Sequence, residues 1–228
     1  MNLTALDSVV DTAFRPIAPG RIHRWGRARL LVARFTDLDE TPFLSPAERR
    51  VVHALPARRQ AEWTAGRLLA KRLVGDALGA PADVVEVLPR DDGSPYVVVH
   101  GSPMPAVHVS LSHTAGHVAA ALAPEAVGVD LCETASAPAV RRVADHVFSP
   151  GELSRIGADR PDDLAGAWAL KEAAVKADRS SIFGAAPRRV EILGLRPPVL
   201  SGRRRARVWR EGNAVLALVL APSPGPAG

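Results

Sequence analysis

Lysine is nearly missing from this chain of 228 residues. Of its 29 basic residues three are lysine, Lys71, Lys171 and Lys176, and the others are arginine. Cys132 is the only cysteine, which excludes an intrachain disulfide and a thiolate-rich zinc site. Aromatic residues amount to 4%, with one tyrosine, too few for a single-strand nucleic-acid binder built on base stacking. No stretch is long and apolar enough to cross a bilayer. The first ten residues, "MNLTALDSVV", hold an acid and no basic cluster. Neither a membrane span nor a signal peptide is therefore expected, and the cytoplasm is the default compartment. Zinc-finger spacing and the Rossmann and Walker glycine patterns are also missing.

Apolar residues and positive charge are plentiful. A hydrophobic content of 47% is enough for one large core or two small ones. A net charge of +5 favours polyanions such as nucleic acid, nucleotide phosphates or an acidic protein. Arginine spread over an ordinary surface gives the same number. "GRRRARVWR" (Gly202–Arg210) keeps a basic nucleic-acid binder open as a class. Its plainer reading is an exposed hairpin whose charges prevent edge-to-edge pairing.

The chain repeats itself. Trp63, Arg67 and Lys71 fall on Trp168, Glu172 and Lys176 at an offset of 105 residues. "VVEVL" (Val84–Leu88) meets "RVEIL" (Arg189–Leu193) at the same offset, and "LSPAE" (Leu44–Glu48) meets "FSPGE" (Phe148–Glu152) at 104. Each Ser-Pro-x-Glu is a capping box, with Ser45 or Ser149 as N-cap, proline at the first helical position and glutamate reaching back. Both halves end in a hairpin pattern, Ala106–Ala123 and Arg205–Ala221. The expectation is an α+β fold made by duplication. Each of the two similar lobes would hold a small, mostly antiparallel sheet on a long helix, in the order strand, capped helix, long helix, strand, hairpin. The lobes divide into residues 1–125 and 126–228, with a disordered tail near 221–228.

The copies differ at their middle position, arginine in one and glutamate in the other, so one site between unlike helices is expected. Trp168, Glu172 and Lys176 are spaced four apart and form one helical stripe; an ordinary surface ion pair has the same spacing. Asp130 sits mid-strand in "VGVDLCE", where an unpaired buried carboxylate is costly. "SLSH" (Ser110–His113) ends a strand with two hydroxyls and an imidazole. Arg59 and Arg67 lie eight apart, two helical turns, and point one way. Together these supply two carboxylates and several phosphate-binding groups, with little suited to nucleophilic attack.

The order Arg-x7-Arg, Ser-x-Ser-His, Gly-Val-Asp and Trp-x-x-Lys-Glu-x-x-x-Lys resembles the 4′-phosphopantetheinyl transferases, specifically the two-lobed, surfactin-synthetase-activating (Sfp) type. The resemblance runs from about Leu44 to Leu195. It implies transfer of 4′-phosphopantetheine from coenzyme A to a serine of an acyl or peptidyl carrier protein, with release of adenosine 3′,5′-bisphosphate. That is phosphoryl transfer, served by a metal, positive charge and a base. By motif match Asp130 and Glu172 would hold Mg²⁺ and Glu172 would help deprotonate the serine. Lys176 would neutralise the pyrophosphate as a compact point charge. Arg59, Arg67, Arg90, Ser112, His113 and Lys171 would join it around coenzyme A. The resemblance further implies a monomer that carries both halves of its site and binds neither nucleic acid nor membrane.

Two departures stand out. The metal strand commonly reads Asp-x-Glu, but Cys132 takes the third place and Glu133 alternates to the opposite face. Thiols are poor Mg²⁺ ligands. Either a water fills that position, or a bulge swings Glu133 inward, or the chain is a non-catalytic binder of coenzyme A or carrier protein. In the turn "DDGSP" (Asp91–Pro95), Ser94 stands where a lysine is common, which leaves Arg90 as the substitute cation. Ile182 and Phe183 are either carrier-protein contacts or loop anchors.

Overall fold

The computed structural model describes residues 14–38, 43–157, 160–180 and 186–222. Strands β1 (Arg15–Pro16), β2 (Ile22–Trp25) and β3 (Ala28–Arg34) come first. A short helix α1 (Pro46–His53) and a long one, α2 (Ala57–Leu78), follow. Next come β4 (Val85–Pro89), β5 (Pro95–Val99), β6 (Ser102–Pro103) and the hairpin β7 (His108–His113) with β8 (His117–Ala123). After β9 (Val127–Glu133) the chain forms α3 (Ala137–Val147), α4 (Pro150–Ile156), the long α5 (Pro161–Ala177) and α6 (Ala186–Arg189). It closes with β10 (Ile192–Leu195), β11 (Pro198–Leu200) and the hairpin β12 (Arg205–Glu211) with β13 (Ala214–Leu220). The class is α+β, as the repeat implied. Helix α3 has no counterpart in the first half and was not foreseen, and each expected lone strand after the long helix is paired, β4 with β5 and β10 with β11. Ile182, Phe183 and most of the expected disordered tail lie outside the described residues.

Two four-stranded sheets carry the fold, in the orders β2-β3-β8-β7 and β1-β12-β13-β9. Alternation along each strand builds three cores. Leu31, Ala33, Val118, Ala120 and Leu122 face Leu69, Leu73 and Val74 of α2. Leu30, Val32, Ala119 and Ala121 meet Val129, Leu131, Leu216 and Leu218 between the sheets. Cys132, Val215, Ala217 and Val219 pack beneath α5. The layers therefore run helix, sheet, sheet, helix, with one apolar seam joining the halves.

The capping boxes form as expected. Ser45 accepts from the Glu48 amide at 3.2 Å and Ser149 from the Glu152 amide at 3.2 Å, and both glutamates return the bond. The same glutamates each also accept one strand amide, Val87 N for Glu48 (2.9 Å) and Ile192 N for Glu152 (2.7 Å).

Helix α5 lies closest to the sheet over Gly128. A Cβ built there would sit 1.8 Å from the Ala173 carbonyl oxygen and 2.7 Å from the Ala177 amide nitrogen. Both are backbone atoms, so no side chain can turn away to relieve the clash. Gly128→Ala is expected to lift α5 off β9 at a cost of about 3 kcal/mol. For a chain of this size the melting temperature should fall by roughly 6–12 °C. Calorimetry reading an unchanged melting temperature would contradict this packing.

Candidate active site

Sheet edges β7 and β9 approach each other without forming a backbone ladder. Serine hydroxyls stand in for it. Ser110 Oγ accepts from the Val129 amide at 3.0 Å, and Ser112 Oγ accepts from the Leu131 amide at 3.1 Å. Ser112 then donates to Asp130 Oδ1 at 2.8 Å. The same oxygen takes the Lys176 ammonium at 2.6 Å, and Lys176 also donates to Val129 O (3.2 Å) and Leu111 O (3.4 Å). One lysine thus closes the seam from α5, touching a strand of each half.

Glu172 lies one turn back along α5 and makes no hydrogen bond or ion pair among the described residues. Burial pushes its carboxyl up to about 7. The charge on Asp130 adds to the rise and Lys176 opposes it. Cys132, two residues beyond Asp130, is buried. Burial first, then Asp130, Glu133 and Glu172, push its thiol up to about 12, so it stays protonated at neutral pH. The ladder from β9 to β13 runs unbroken from Val127↔Leu220 to Glu133↔Ala214. No bulge turns Glu133 inward. Its carboxylate instead accepts the Gly116 amide at 3.1 Å.

Two cavities meet at this place, and His113 lines both. The first, about 320 Å³, is bounded by Arg59, Arg67, Arg90, Ser112 and Lys176, among others. The second is a wider, mostly apolar groove of about 1140 Å³ along α3, reaching Cys132, Glu133 and Trp168. On the α5 stripe Trp168 borders the groove and Lys176 the cleft, with Glu172 between them.

Besides Lys176, five residues expected around a phosphate ligand border the first cleft, but their commitments differ. Arg67 is buried, donates from Nε to Val87 O (3.2 Å) and stacks 3.8 Å above the Trp63 ring. Burial lowers its pKa to about 10, countered by Glu48, so it remains a cation. Arg59 is exposed and pairs with Glu62 at 3.3 Å. His113 also reaches Glu62, at 3.1 Å. Its pKa is lowered, first by burial, with Arg59 and Lys176 contributing, although Glu62 and Asp130 oppose the shift. Arg90 stacks 4.8 Å from the Tyr96 ring and its buried Nε has no partner. Ser112 is spent on Asp130 and Leu131, so it positions the carboxylate rather than offering a free hydroxyl.

Lys171 corrects the sequence expectation. Its ammonium is fully buried, 2.5 Å from Glu152, and donates to Val190 O (2.5 Å) and Pro187 O (3.0 Å). It does not border the first cleft. Its structural counterpart is Lys71, which sits 2.7 Å from Glu48 and donates to Phe43 O at 2.9 Å. The offset of 105 matched Lys71 to Lys176, whereas partner identity matches it to Lys171. Three cleft residues were missed: Glu62, His108 and Arg179. Glu62 was legible as the carboxylate three residues after Arg59. The other two become neighbours only in the fold.

The family described as the 4′-phosphopantetheinyl transferase superfamily matches residues 126–214, which include Asp130, Glu172 and Lys176. A holo-[acyl-carrier-protein] synthase of Salinispora arenicola (strain CNS-205) is 37% identical over 114 residues, covering 42% of this chain and 92% of that protein. Among solved structures, a holo-(acyl-carrier-protein) synthase from Bacillus anthracis str. Ames, in complex with CoA (3′,5′-ADP), shares 23% identity. The alignment covers 42% of this chain and 91% of that one, with a TM-score of 0.36. The holo-[acyl-carrier-protein] synthase of Thermotoga maritima shares 26% identity over 44% of this chain and 66% of its own, also at a TM-score of 0.36.

The raised carboxyl of Glu172 has a consequence for stability. In the unfolded chain it titrates near 4.5, in the folded one near 7. Between these values the folded state binds more protons, so stability falls as pH rises through the window. Above pH 7 the ionised group opposes folding by at most about 3 kcal/mol. Glu172→Gln should therefore melt higher than the wild type at pH 8 without metal, and about equally at pH 4.5. Calorimetry showing the same difference at both pH values would remove the carboxylate as its source.

Lys171→Ala should behave oppositely. It leaves Glu152 buried and unpaired, which costs about 3–5 kcal/mol. Its denaturation midpoint in urea should drop further than that of Lys176→Ala, because the Lys176 ammonium is partly exposed and Asp130 keeps the Ser112 hydroxyl as a partner. Equal losses in the two variants would contradict the division of labour between these lysines.

Proposed function

The chain belongs to the 4′-phosphopantetheinyl transferase superfamily, and from that premise we propose that it transfers 4′-phosphopantetheine from coenzyme A to a serine of an acyl or peptidyl carrier protein. The observation that carries this reading is Glu172, a carboxylate with a pKa near 7 and no partner among the described residues, one turn from an ammonium that spans both halves. The serine oxygen attacks the phosphorus that bears pantetheine. The bond from that phosphorus to the bridging oxygen breaks, and adenosine 3′,5′-bisphosphate leaves. Glu172 takes the serine proton, a role its pKa near neutrality suits. Arg59, Arg67, Arg90 and Lys176 hold the phosphates, since this chemistry depends on positioning and charge rather than on a covalent nucleophile.

Mg²⁺ fits the residues present. Among the described residues no group of three His, Cys, Asp or Glu stands together. Mg²⁺ needs no such group, because it is commonly held by one or two carboxylates with waters and substrate phosphates. Asp130 and Glu172 are that pair. The rise that Asp130 causes in Glu172 marks a local excess of negative charge that a dication relieves. When bound, the ion would neutralise charge on the diphosphate. Cys132 stays a thiol and takes no part, which leaves its position to water.

Both halves contribute to one cleft, Arg59, Arg67 and His113 from the first and Lys176 from the second. A single chain therefore holds a complete site. This supports the two-lobed type and a monomer, as does the relative of which 92% matches only 42% of this chain.

The test is incubation with coenzyme A, Mg²⁺ and a panel of apo carrier proteins, read by intact mass. The wild type should add phosphopantetheine to at least one carrier. Glu172→Gln should lose about 10²–10⁴-fold in rate while folded, the range of a general base. Cys132→Ala should stay within about threefold of wild type at every Mg²⁺ concentration. A wild type silent on the whole panel would overturn the catalytic reading in favour of a binding protein. A severe loss in Cys132→Ala would overturn the assignment of water to its place.

A further inference from the structure

Strand register places Glu211, Ala214 and Glu133 side by side, on β12, β13 and β9 in turn. Residues opposed in this way point to one face of a sheet. Ala214 belongs to the core between the two sheets, so both carboxylates leave the second sheet toward the first. Cys132, one residue before Glu133, alternates to the other face and packs beneath α5. Glu133 therefore turns its back on the α5 side and faces the first half.

Both carboxylates meet the β7–β8 turn, on consecutive residues. Glu133 accepts from the Gly116 amide at 3.1 Å. Glu211, which is buried, takes the His117 imidazole and the Arg34 guanidinium. The turn also closes on itself. The Thr114 amide donates to His117 O at 2.8 Å, and Thr114 Oγ1 accepts from the His117 amide at 3.1 Å. The Phe35 amide donates to Gly116 O at 3.1 Å. Turns are ordinarily the loosest parts of a sheet, because their backbone groups bond to water. Here the C=O of Gly116 is taken by its own half and its N–H by the other. A bond from an amide to a carboxylate is charge-assisted and stronger than one to a neutral oxygen.

What this turn carries is His113, the last residue of β7. His113 lines both the first cleft and the apolar groove, and Thr114 and Ala115 continue the wall of the groove. Its contact with Glu62, at 3.1 Å, stays within the first half. A shift of the turn would carry His113 along the boundary between the two cavities. We propose that Glu133 is a positioning residue: it holds Gly116 so that the β7–β8 turn keeps His113 at the mouth of the first cleft, with Glu211 as the fixed anchor beside it. Glu133 touches no substrate in this role and acts only through the turn. The second half thereby sets the wall that the first half offers to the ligand. The consequence for turnover rests on reading the first cleft as the coenzyme A site.

Glutamine offers the Gly116 amide the same oxygen without the charge, whereas alanine offers none. At saturating carrier protein, Glu133→Ala should raise the KM for coenzyme A about 3–10-fold, the range of one hydrogen bond, and leave kcat within about twofold. Glu133→Gln should keep both constants within about twofold of the wild type. Amide hydrogen exchange followed by NMR reads the grip without any turnover. Gly116 should exchange at least about threefold faster in Glu133→Ala and near the wild-type rate in Glu133→Gln. An unchanged KM or an unchanged Gly116 exchange in Glu133→Ala overturns the positioning role and leaves the transferase reading standing. A collapse of kcat in Glu133→Gln overturns it as well, since that marks a group that needs its charge, as a metal ligand does. A wild type that modifies no carrier protein overturns the transferase reading, and Gly116 exchange then decides the grip by itself.

Discussion

The missing side chain of Gly128 sets the distance between helix α5 and strand β9, and the site depends on that distance. Only with a hydrogen in place of Cβ can the Ala173 carbonyl and the Ala177 amide rest on the strand. Two residues along the strand, Asp130 then comes within 2.6 Å of the Lys176 ammonium, and the charge of Asp130 reaches Glu172. Glu172 is raised because it is buried near another carboxylate, and it is near that carboxylate because the helix is pressed down. A shorter stem at Lys176 or a helix one ångström higher would break the contact that ties the helix to the seam.

The seam itself is an unusual junction. Two sheet edges that face each other ordinarily either pair or repel intruders. Here β7 offers serine oxygens to the β9 amides. A side-chain acceptor satisfies the amide as a carbonyl would, so the edge carbonyls are not used in a ladder there. Lys176 takes Leu111 O on one edge and Val129 O on the other. The Ser-x-Ser spacing follows from strand alternation, since both hydroxyls must stand on one face. A second tie crosses nearby, where Arg34 and His117 of the first sheet both reach the buried Glu211 of the second.

Much of this was legible in the sequence where the signal was local or repeated. The capping boxes were legible because Ser-Pro-x-Glu encodes the cap within four residues. The hairpins and the α5 stripe were legible from their spacing, and Asp130 stood out as a charge inside an apolar run. The roles of the basic residues were much less so. Lys171 sits within the most specific motif, yet its partner is Glu152, nineteen residues earlier and on another helix. Nothing local separates a lysine that faces a ligand from one that faces a capping glutamate. Arg179 was hidden for a similar reason, because its neighbours exist only once α5 has ended against the first half. Helix α3 lacks a copy in the first half, so the repeat had no way to announce it.

The scarcity of lysine can now be explained from packing. All three lysines pair with carboxylates: Lys71 with Glu48, Lys171 with Glu152, and Lys176 with Asp130. Each capping glutamate already accepts an N-cap amide and a strand amide, so what remains for the cation is a narrow approach from below. An ammonium fits that approach as a compact head with three donors, which it splits between the carboxylate and nearby carbonyls. A planar guanidinium needs a flat, two-oxygen face, and both glutamates have spent theirs. The duplication preserved the glutamate and its two amides in each half, but the lysine arrives from different helical turns, Lys71 in one and Lys171 in the other. What the two halves share is therefore a requirement for one buried positive charge beneath each cap, and either turn of the long helix can meet it. Meeting it from Lys171 left the position matched to Lys71 in the second half, Lys176, free to face the cleft. That displacement is the asymmetry between the copies from which a single site between two similar halves arises.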